Sequence, residues 1–562
     1  MEDVCPKRWC DADLSRGNVR SGLVDPVCHG DPHDRDRPGG DLVIYLRLVI
    51  KPRADFLILT VAALFFFVSS SILAFNLPAV YNSPDENANA VFTEQVRLTG
   101  VPDIFDPVLA VSPLLHPRSV INTGLHLLPG SFLGLPVVYG YMARVVGNEP
   151  LLFVTPLLAV LAVFCWRRVV EVVFRSRTVA LLAALGLLFH PAFWYWSARS
   201  MMHNVPFLAL SIIALYVAVV RPKFLWLSGL LLGTAIMFRS IELFWIVPVA
   251  LVLLVRFQRD LGFGRIIGFM IGVVVALTPM LVLNQQLYGN LFETGYTYHQ
   301  VTDETLSSST LPVPDAELPE LGKSILRNSW YYSVTLFPWL SFAAALGFLT
   351  RITERRERLF AGIAILTTVL LWIFYGSYTF RDNPDPALIT IGTSYTRYWL
   401  PIFALASPYV AWLIVWLSDR VRVQLARKIV LVGLTVLMIA LSVRPVFLAE
   451  DGLVSIRSAL AQSYEKQQGV LAATEAEAII IVDRADKFLW PERHVVYPLR
   501  SEDTYAAMGS LAQDAPLYYF GITLPEKDVM YLNTEKLPPL GLQIEYVLTF
   551  QDESLYRLYV IR

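Results

Sequence analysis

The residues best suited to chemistry lie in one short stretch, Tyr81-Asn-Ser-Pro-Asp85-Glu86-Asn87-Ala-Asn89, directly after the first long apolar run. Its adjacent carboxylates read in two ways. In the first, Ser83 is a helix N-cap, Pro84 the first helical residue and Glu86 the return partner of a Ser-x-x-Glu capping box, while Asp85 complements the helix dipole. Neither carboxylate then does chemistry. In the second, a carboxylate at the membrane surface takes a proton from an acceptor hydroxyl as general base, a contribution of typically about 10²- to 10⁴-fold. Asn89, four residues after Asp85, shares its helix face. No GxxxxGK loop accompanies them, and Gly262, Gly264 and Gly268 have the wrong spacing and follow no strand. An activated substrate must arrive by another route, for which a membrane-borne donor is the natural candidate.

The elements that hold this stretch are membrane spans. The chain has 562 residues, 55% hydrophobic and only 17% charged, with a mean hydropathy of +0.51, which excludes a soluble enzyme. About 20 mostly apolar residues cross the hydrocarbon layer. Runs meeting that test are 56–77, 150–170, 178–196, 204–220, 224–238, 240–255, 266–284, 330–350, 359–376, 398–418 and 429–447, eleven in all. A twelfth candidate, 128–146, is interrupted by Pro129, Gly130, Gly134, Pro136 and Gly140. Lys and Arg close to span ends are retained in the cytoplasm. The flanks 42–55, 167–177, 221–223, 256–265, 351–358 and 419–428 carry 20 Lys and Arg against 6 Asp and Glu. A crossing at 128–146 would turn Arg167, Arg168, Arg175 and Arg177 outward, so that run is read as an interfacial or re-entrant helix. The expectation is a polytopic α-helical protein of the plasma (inner) membrane with about 11 transmembrane helices and a cytoplasmic N-terminus. Everything after Phe447 is then extracytoplasmic.

Residues 1–46 read as a disordered cytoplasmic tail or an over-long start, without the apolar core of a cleaved signal, so the first apolar run remains as an anchor. Cys5, Cys10, Cys28, His29 and His33 lack the paired short loops of a zinc site, and four Cys in so long a chain exclude a disulfide framework. Residues 47–447 form the transmembrane domain, with a first outer loop at 78–149 containing juxtamembrane helices and a second, acidic one at 285–329. Residues 448–562 return to soluble composition: helices near 453–471 and 502–512, and β-rich runs at 478–483, 494–499, 516–522, 544–550 and 555–561, predict a small extracytoplasmic α/β domain. The net charge of −1, from 46 Lys and Arg against 47 Asp and Glu, gives no sign of a nucleic-acid partner.

A first outer loop opening with Asp-Glu on a juxtamembrane helix resembles the GT-C superfamily of polyprenyl-phosphate-sugar-dependent glycosyltransferases. Within it the chain is similar to the protein O-mannosyltransferase and lipid A aminoarabinose transferase group. Further matches spread over residues 56–447. The third span ends Phe-Trp-Tyr-Trp-Ser-Ala-Arg199, Phe238-Arg239-Ser240 lies between two short spans, and Asn284 to Tyr296 reads NQQLYGNLFETGY. Tyr395-Thr-Arg397-Tyr398-Trp-Leu-Pro401 resembles the family's opening of a late span. Where relatives often carry an acidic residue in the second outer loop, this chain reads Met201-Met202-His203-Asn204.

The resemblance implies a GT-C-like fold and a direct, inverting displacement that moves a sugar from a polyprenyl-phosphate carrier to an extracytoplasmic glycan, lipid or protein. Asp85 is its expected base and Glu86 a neighbour that positions it or the acceptor. The leaving phosphate requires cationic forks, for which Arg199, Arg239 and Arg397 are the outer-side candidates, although Arg239 can instead pair with Glu242. Asn89, Asn204, Asn290, Glu293, Tyr296 and Tyr398 are the substrate-binding candidates. No cofactor is expected; His203 and Asn204 retain the capacity to ligate a divalent metal, without a carboxylate to help. The competing class is a transporter of a lipid-linked sugar or small solute, which would typically show repeats and mid-depth polar groups.

Overall fold

The computed structural model describes residues 52–74, 80–302, 318–351, 357–380, 382, 388–498 and 501–561. The expected N-terminal tail and its Cys and His residues lie outside them, as does the middle of the second loop.

The chain runs from α1 (Pro52–Ser70) into a surface layer made of α2 (Pro84–Thr99), three short strands and α3 (Gly134–Val146). The strands β1 (Ile104–Phe105), β2 (Val120–Asn122) and β3 (His126–Pro129) form an antiparallel sheet with β3 central. Gly-rich breaks in 128–146 serve close contact. A Cβ on Gly140 would lie 2.5 Å from Cβ of Val96 in α2, and one on Gly134 2.3 Å from the Met237 carbonyl. At 13 residues α3 is about 20 Å long, too short to cross the layer.

The bundle follows: α4 (Val154–Phe174), α5 (Arg177–Leu188), α6 (Pro191–Ser197), α7 (Asn204–Val220), α8 (Leu225–Phe238), α9 (Leu243–Leu261) and α10 (Phe263–Tyr288). After α11 (Gly295–Thr302) and α12 (Leu318–Ser329) come α13 (Pro338–Arg351), α14 (Arg358–Gly376), the single turn α15 (Ser394–Tyr398), α16 (Leu400–Asp419) and α17 (Gln424–Val443). The described part of each of the eleven apolar runs is mostly helical, the first in α1 and the others in this series, but the count of eleven spans is not confirmed. Among the described residues five helices are long and apolar enough to cross a membrane, or up to eight if each bent pair is one span. The bends are 55° between α5 and α6, 120° between α7 and α8, and 100° where α12 and its π-turn meet α13. The difference is one of length: α5, α8 and α13 have 12, 14 and 14 residues, about 18–21 Å at 1.5 Å per residue. Hydropathy sees composition, whereas crossing needs an unbroken axis.

A π-turn at Arg444–Leu448 leads into α18 (Leu453–Ala473) and a terminal α/β domain. Its elements are β4 (Ile479–Val482), α19 (Asp486–Leu489), β5 (His494–Val496), α20 (Glu502–Asp514), β6 (Leu517–Ile522), α21 (Glu526–Tyr531), β7 (Leu542–Phe550) and β8 (Glu553–Val560). The five-stranded sheet has the order β5-β4-β6-β8-β7. β4 is parallel to both its neighbours and buried along its whole length, which explains why its sequence is continuously aliphatic rather than alternating. β7 and β8 form an antiparallel edge hairpin with exposed positions.

Candidate active site

The expected helix start is present at α2. The Ser83 side chain accepts the Asp85 N–H at 3.2 Å, with Pro84 in the first turn. The capping box does not close as the sequence suggests, because Glu86 is drawn elsewhere. Its carboxylate takes two bonds from Arg199, one at 2.9 Å from Nε and a second, shorter one from Nη2. Both side chains are buried, at 4% and 3% exposure. Arg199 also donates to the Tyr195 hydroxyl at 3.3 Å and lies over the Trp196 ring. A tertiary ion pair has outcompeted a local cap.

Asp85 points to the other side. Its Oδ1 accepts from the Ser119 hydroxyl at 2.6 Å and its Oδ2 from Arg397 Nη1 at 3.2 Å. The carboxylate keeps 20% of its surface open. Burial by itself would raise its pKa, but the Arg397 charge and the Ser119 bond, aided by His203, outweigh that and hold Asp85 below the usual carboxylate range. It is therefore ionised at neutral pH, the state a general base requires.

Arg397 sits on α15, where Nη2 donates to Ser394 Oγ at 2.9 Å and to the Tyr398 hydroxyl at 3.2 Å. Its Nε is buried and has no hydrogen-bond partner among the described residues. Arg239, in the break between α8 and α9, donates to Glu242 at 2.8 Å and to Tyr375 at 2.9 Å, so the Glu242 pairing anticipated from sequence exists. The two guanidiniums lie over the same Tyr398 ring, at 4.6 Å for Arg239 and 5.0 Å for Arg397. That ring stacks on Tyr375 at 4.4 Å. Asp85, Arg397, Tyr398 and Arg239 thus form one contiguous cluster from α2, α15 and the α8–α9 break.

Around it, Asn89 donates to the Met201 carbonyl at 2.8 Å and meets His203 Nε2 at 3.1 Å. Burial, with Arg239 and Arg397 nearby, pushes the His203 imidazole down to about 3, so it is neutral at physiological pH. Asn204 donates to the Arg397 carbonyl at 3.4 Å. Tyr296 packs on Phe132, ring centroids 5.0 Å apart, and burial together with the Asp85 charge raises its phenol. Asn290 and Glu293 are not brought in. Asn290 is exposed, and their hydrogen bonds close their own turn: Asn290 Oδ1 accepts the Phe292 N–H at 3.1 Å and its carbonyl the Glu293 N–H at 3.3 Å. Among the described residues no three His, Cys, Asp or Glu side chains gather where one metal ion could sit.

Several residues at the cluster were not singled out in the sequence. Ser119 and Tyr375 carry no motif. The terminal domain also reaches α2: Lys487 donates to the Asn82 carbonyl at 3.0 Å and Asn87 to the Trp490 carbonyl at 2.9 Å. Burial, with Arg118 beside it, lowers Lys487 to about 8. Nothing in the linear order predicts these meetings.

No family profile and no curated protein matches the chain. Its fold does match solved structures. ArnT from Cupriavidus metallidurans bound to undecaprenyl phosphate superposes with a TM-score of 0.52 over 90% of this chain and 98% of that one, at 13% identity. ArnT from the same organism in the apo state gives 0.51 over 89% and 97%, at 12% identity. The chain thus has an ArnT-like fold, as the sequence motifs led one to expect.

Proposed function

We propose that this chain is an integral-membrane inverting glycosyltransferase that moves a sugar from a polyprenyl-phosphate carrier to an extracytoplasmic acceptor hydroxyl. The observation carrying the reading is the convergence of an ionised Asp85 with Arg397 and Arg239 around Tyr398. It is supported by a fold shared with a protein crystallised with undecaprenyl phosphate.

Asp85 takes the proton of the acceptor hydroxyl as that oxygen bonds to the anomeric carbon. The bond from the anomeric carbon to the phosphate oxygen breaks on the opposite face, and polyprenyl phosphate departs with the electron pair. Arg397 has the geometry for the leaving group: its buried Nε is unpartnered among the described residues, and a phosphate oxygen satisfies it at low cost in a site already shielded from water. Arg239, paired with Glu242, supports the Tyr398 ring beside Arg397. Arg199, saturated by Glu86, positions the helix that carries Asp85. Asn89, Asn204, Tyr296 and Tyr398 line the substrate space, whereas Asn290 and Glu293 lie in a turn of their own and take no part in it. The transport alternative lacks support in the position of the cluster, which gathers at the start of α2 and in helix breaks.

Purified full-length protein is given radiolabelled polyprenyl-phosphate sugars and a cell-envelope fraction, with Asp85→Asn and Arg397→Ala in parallel. Both variants are expected to lose transfer. Full transfer by Asp85→Asn refutes the base assignment, and sugar uptake into liposomes without transfer favours a transporter. A reporter fused to the C-terminus checks sidedness, an extracytoplasmic signal being expected.

A further inference from the structure

Among the described residues the terminal domain places no hydrogen-bonding side chain on Asp85, yet it holds Ser119, one of the two residues that do. Asp486, at the start of α19, is fully buried. One of its oxygens accepts the Arg118 backbone N–H at 3.0 Å, and the pair also binds the Arg118 side chain, at 2.9 and 3.1 Å from Nε and 2.5 Å from Nη2. Arg118 Nη2 reaches the Arg484 carbonyl as well, at 3.3 Å, and its guanidinium lies over Tyr497. The preceding residues are pinned to the same domain, where Leu115 and His116 bridge to Val496 in β5.

The next residue, Ser119, has a φ of +63°, in the left-handed region that a side chain with a Cβ disfavours. Such a conformation persists only where its surroundings over-determine it. Here one side is fixed by Asp486 through Arg118. The other is fixed by Gly130, whose N–H donates to the Ser119 carbonyl at 2.9 Å and whose missing Cβ leaves room, since one built there would lie 2.8 Å from the Ser119 carbonyl carbon. The product of this constraint is the 2.6 Å bond from the Ser119 hydroxyl to Asp85 Oδ1.

We infer that Asp486 is a positioning residue for the base: through Arg118 it holds Ser119 in the left-handed conformation that presents its hydroxyl to Asp85. This deepens the proposed function and rests on the assignment of Asp85 as base. It gives the terminal domain a role in the reaction, since the domain must be folded and docked for the carboxylate to be aimed. It also explains why Arg118, with Asp85 among the charges it feels, is not a free cation for the donor: its fork is occupied by Asp486.

The test reads the protonation of Asp85 directly, by infrared difference titration of its carboxyl band in the full-length protein with the Asp85→Asn spectrum subtracted. The groups that face Asp85 and stay constant are Arg397 from α15, His203 ahead of α7 and Tyr296 from α11. Ser119→Ala is expected to raise the midpoint by about one pH unit, the scale of a hydrogen bond to a charged group. Asp486→Asn acts by two routes of opposite sign. Loss of the Ser119 bond raises the midpoint, while the Arg118 charge left unpaired lowers it. A double-mutant cycle separates them, because in the Ser119→Ala background only the second route remains. The inference expects the shift caused by Asp486→Asn to be more positive with Ser119 present than absent, again by about one pH unit. Equal shifts in the two backgrounds overturn it. Arg118→Lys, which keeps the cation and loses the fork, repeats the cycle should Asp486→Asn fail to fold. Full transfer by Asp85→Asn is a separate measurement that overturns the base assignment whatever the titration gives, so the two failures are told apart.

Discussion

Adjacent carboxylates with different partners make a sharp prediction: Glu86→Gln damages stability and Asp85→Asn damages chemistry. Glu86 and Arg199 are 4% and 3% exposed, and neither makes another ion pair among the described residues. Removing one partner of such a pair leaves a buried charge uncompensated, a cost of about 3–5 kcal/mol. Gln can still accept one bond from the guanidinium, which places Glu86→Gln at about 3 kcal/mol, the lower end of that range. Asp85 is 20% exposed, and its partner Arg397 keeps Ser394, Tyr398 and Met202 when the carboxylate becomes an amide. Its loss should cost only about 1 kcal/mol, near the net worth of a typical hydrogen bond. Loss of a general base should nevertheless slow transfer by about 10²- to 10⁴-fold. Thermal melts of the detergent-solubilised protein, combined with transfer assays, separate the two. The double variant Glu86→Gln/Arg199→Gln removes both charges and should recover part of the loss. If Glu86→Gln melts with the wild type, or Asp85→Asn destabilises as much as Glu86→Gln, the division of labour argued from burial is wrong.

Arg397→Gln removes the largest opposing charge on Asp85, so burial then dominates and the carboxyl titrates at higher pH. Because the native pKa is depressed, the stability linked to Asp85 is present above the unfolded value of about 3.9 and is lost as pH falls through the lower folded value. In the variant the Asp85 carboxyl band should titrate at higher pH in the infrared difference spectrum; an unmoved midpoint refutes the pairing. Gly134→Ala should destabilise by about 1–3 kcal/mol, since its Cβ falls 2.3 Å from the Met237 carbonyl. It should also reduce transfer by displacing Arg239, and a variant with native melting and activity contradicts this contact. Tyr398→Phe removes the hydroxyl that accepts from Arg397 but keeps the ring on Tyr375. The expected result is a weaker apparent donor affinity with a melting temperature close to wild type.

Much of the fold is legible because it is written locally. The apolar runs fall on helices, α2 begins at Ser83 and Pro84, and the β-rich runs of the terminal domain are strands of one sheet. Span number was less legible, because hydropathy does not register the bends at α5–α6, α7–α8 and α12–α13. At the site, the Asp-Glu pair and the Arg residues stood out through residue type and position. The stretch from Asn284 to Tyr296 reads as one motif, yet its residues divide: Asn284 donates to the Leu291 carbonyl, Tyr288 to the Pro129 carbonyl and Tyr296 meets Phe132, while Asn290 faces solvent.

By itself the sequence determined that this chain carries membrane helices, that a carboxylate-bearing helix follows the first of them and that a small α/β domain ends it. Those properties depend on periodicity, composition and capping over a few neighbouring residues. Tertiary structure decided which carboxylate meets which arginine: Glu86 is 113 residues from Arg199, and Asp85 is 312 from Arg397. It also decided that Asp486, far along the chain, grips the residue next to Ser119. A charged group's behaviour is set by the charges and burial around it. Those neighbours are chosen by packing, through contacts such as Gly134 on Met237 and Gly140 on Val96, rather than by position along the chain.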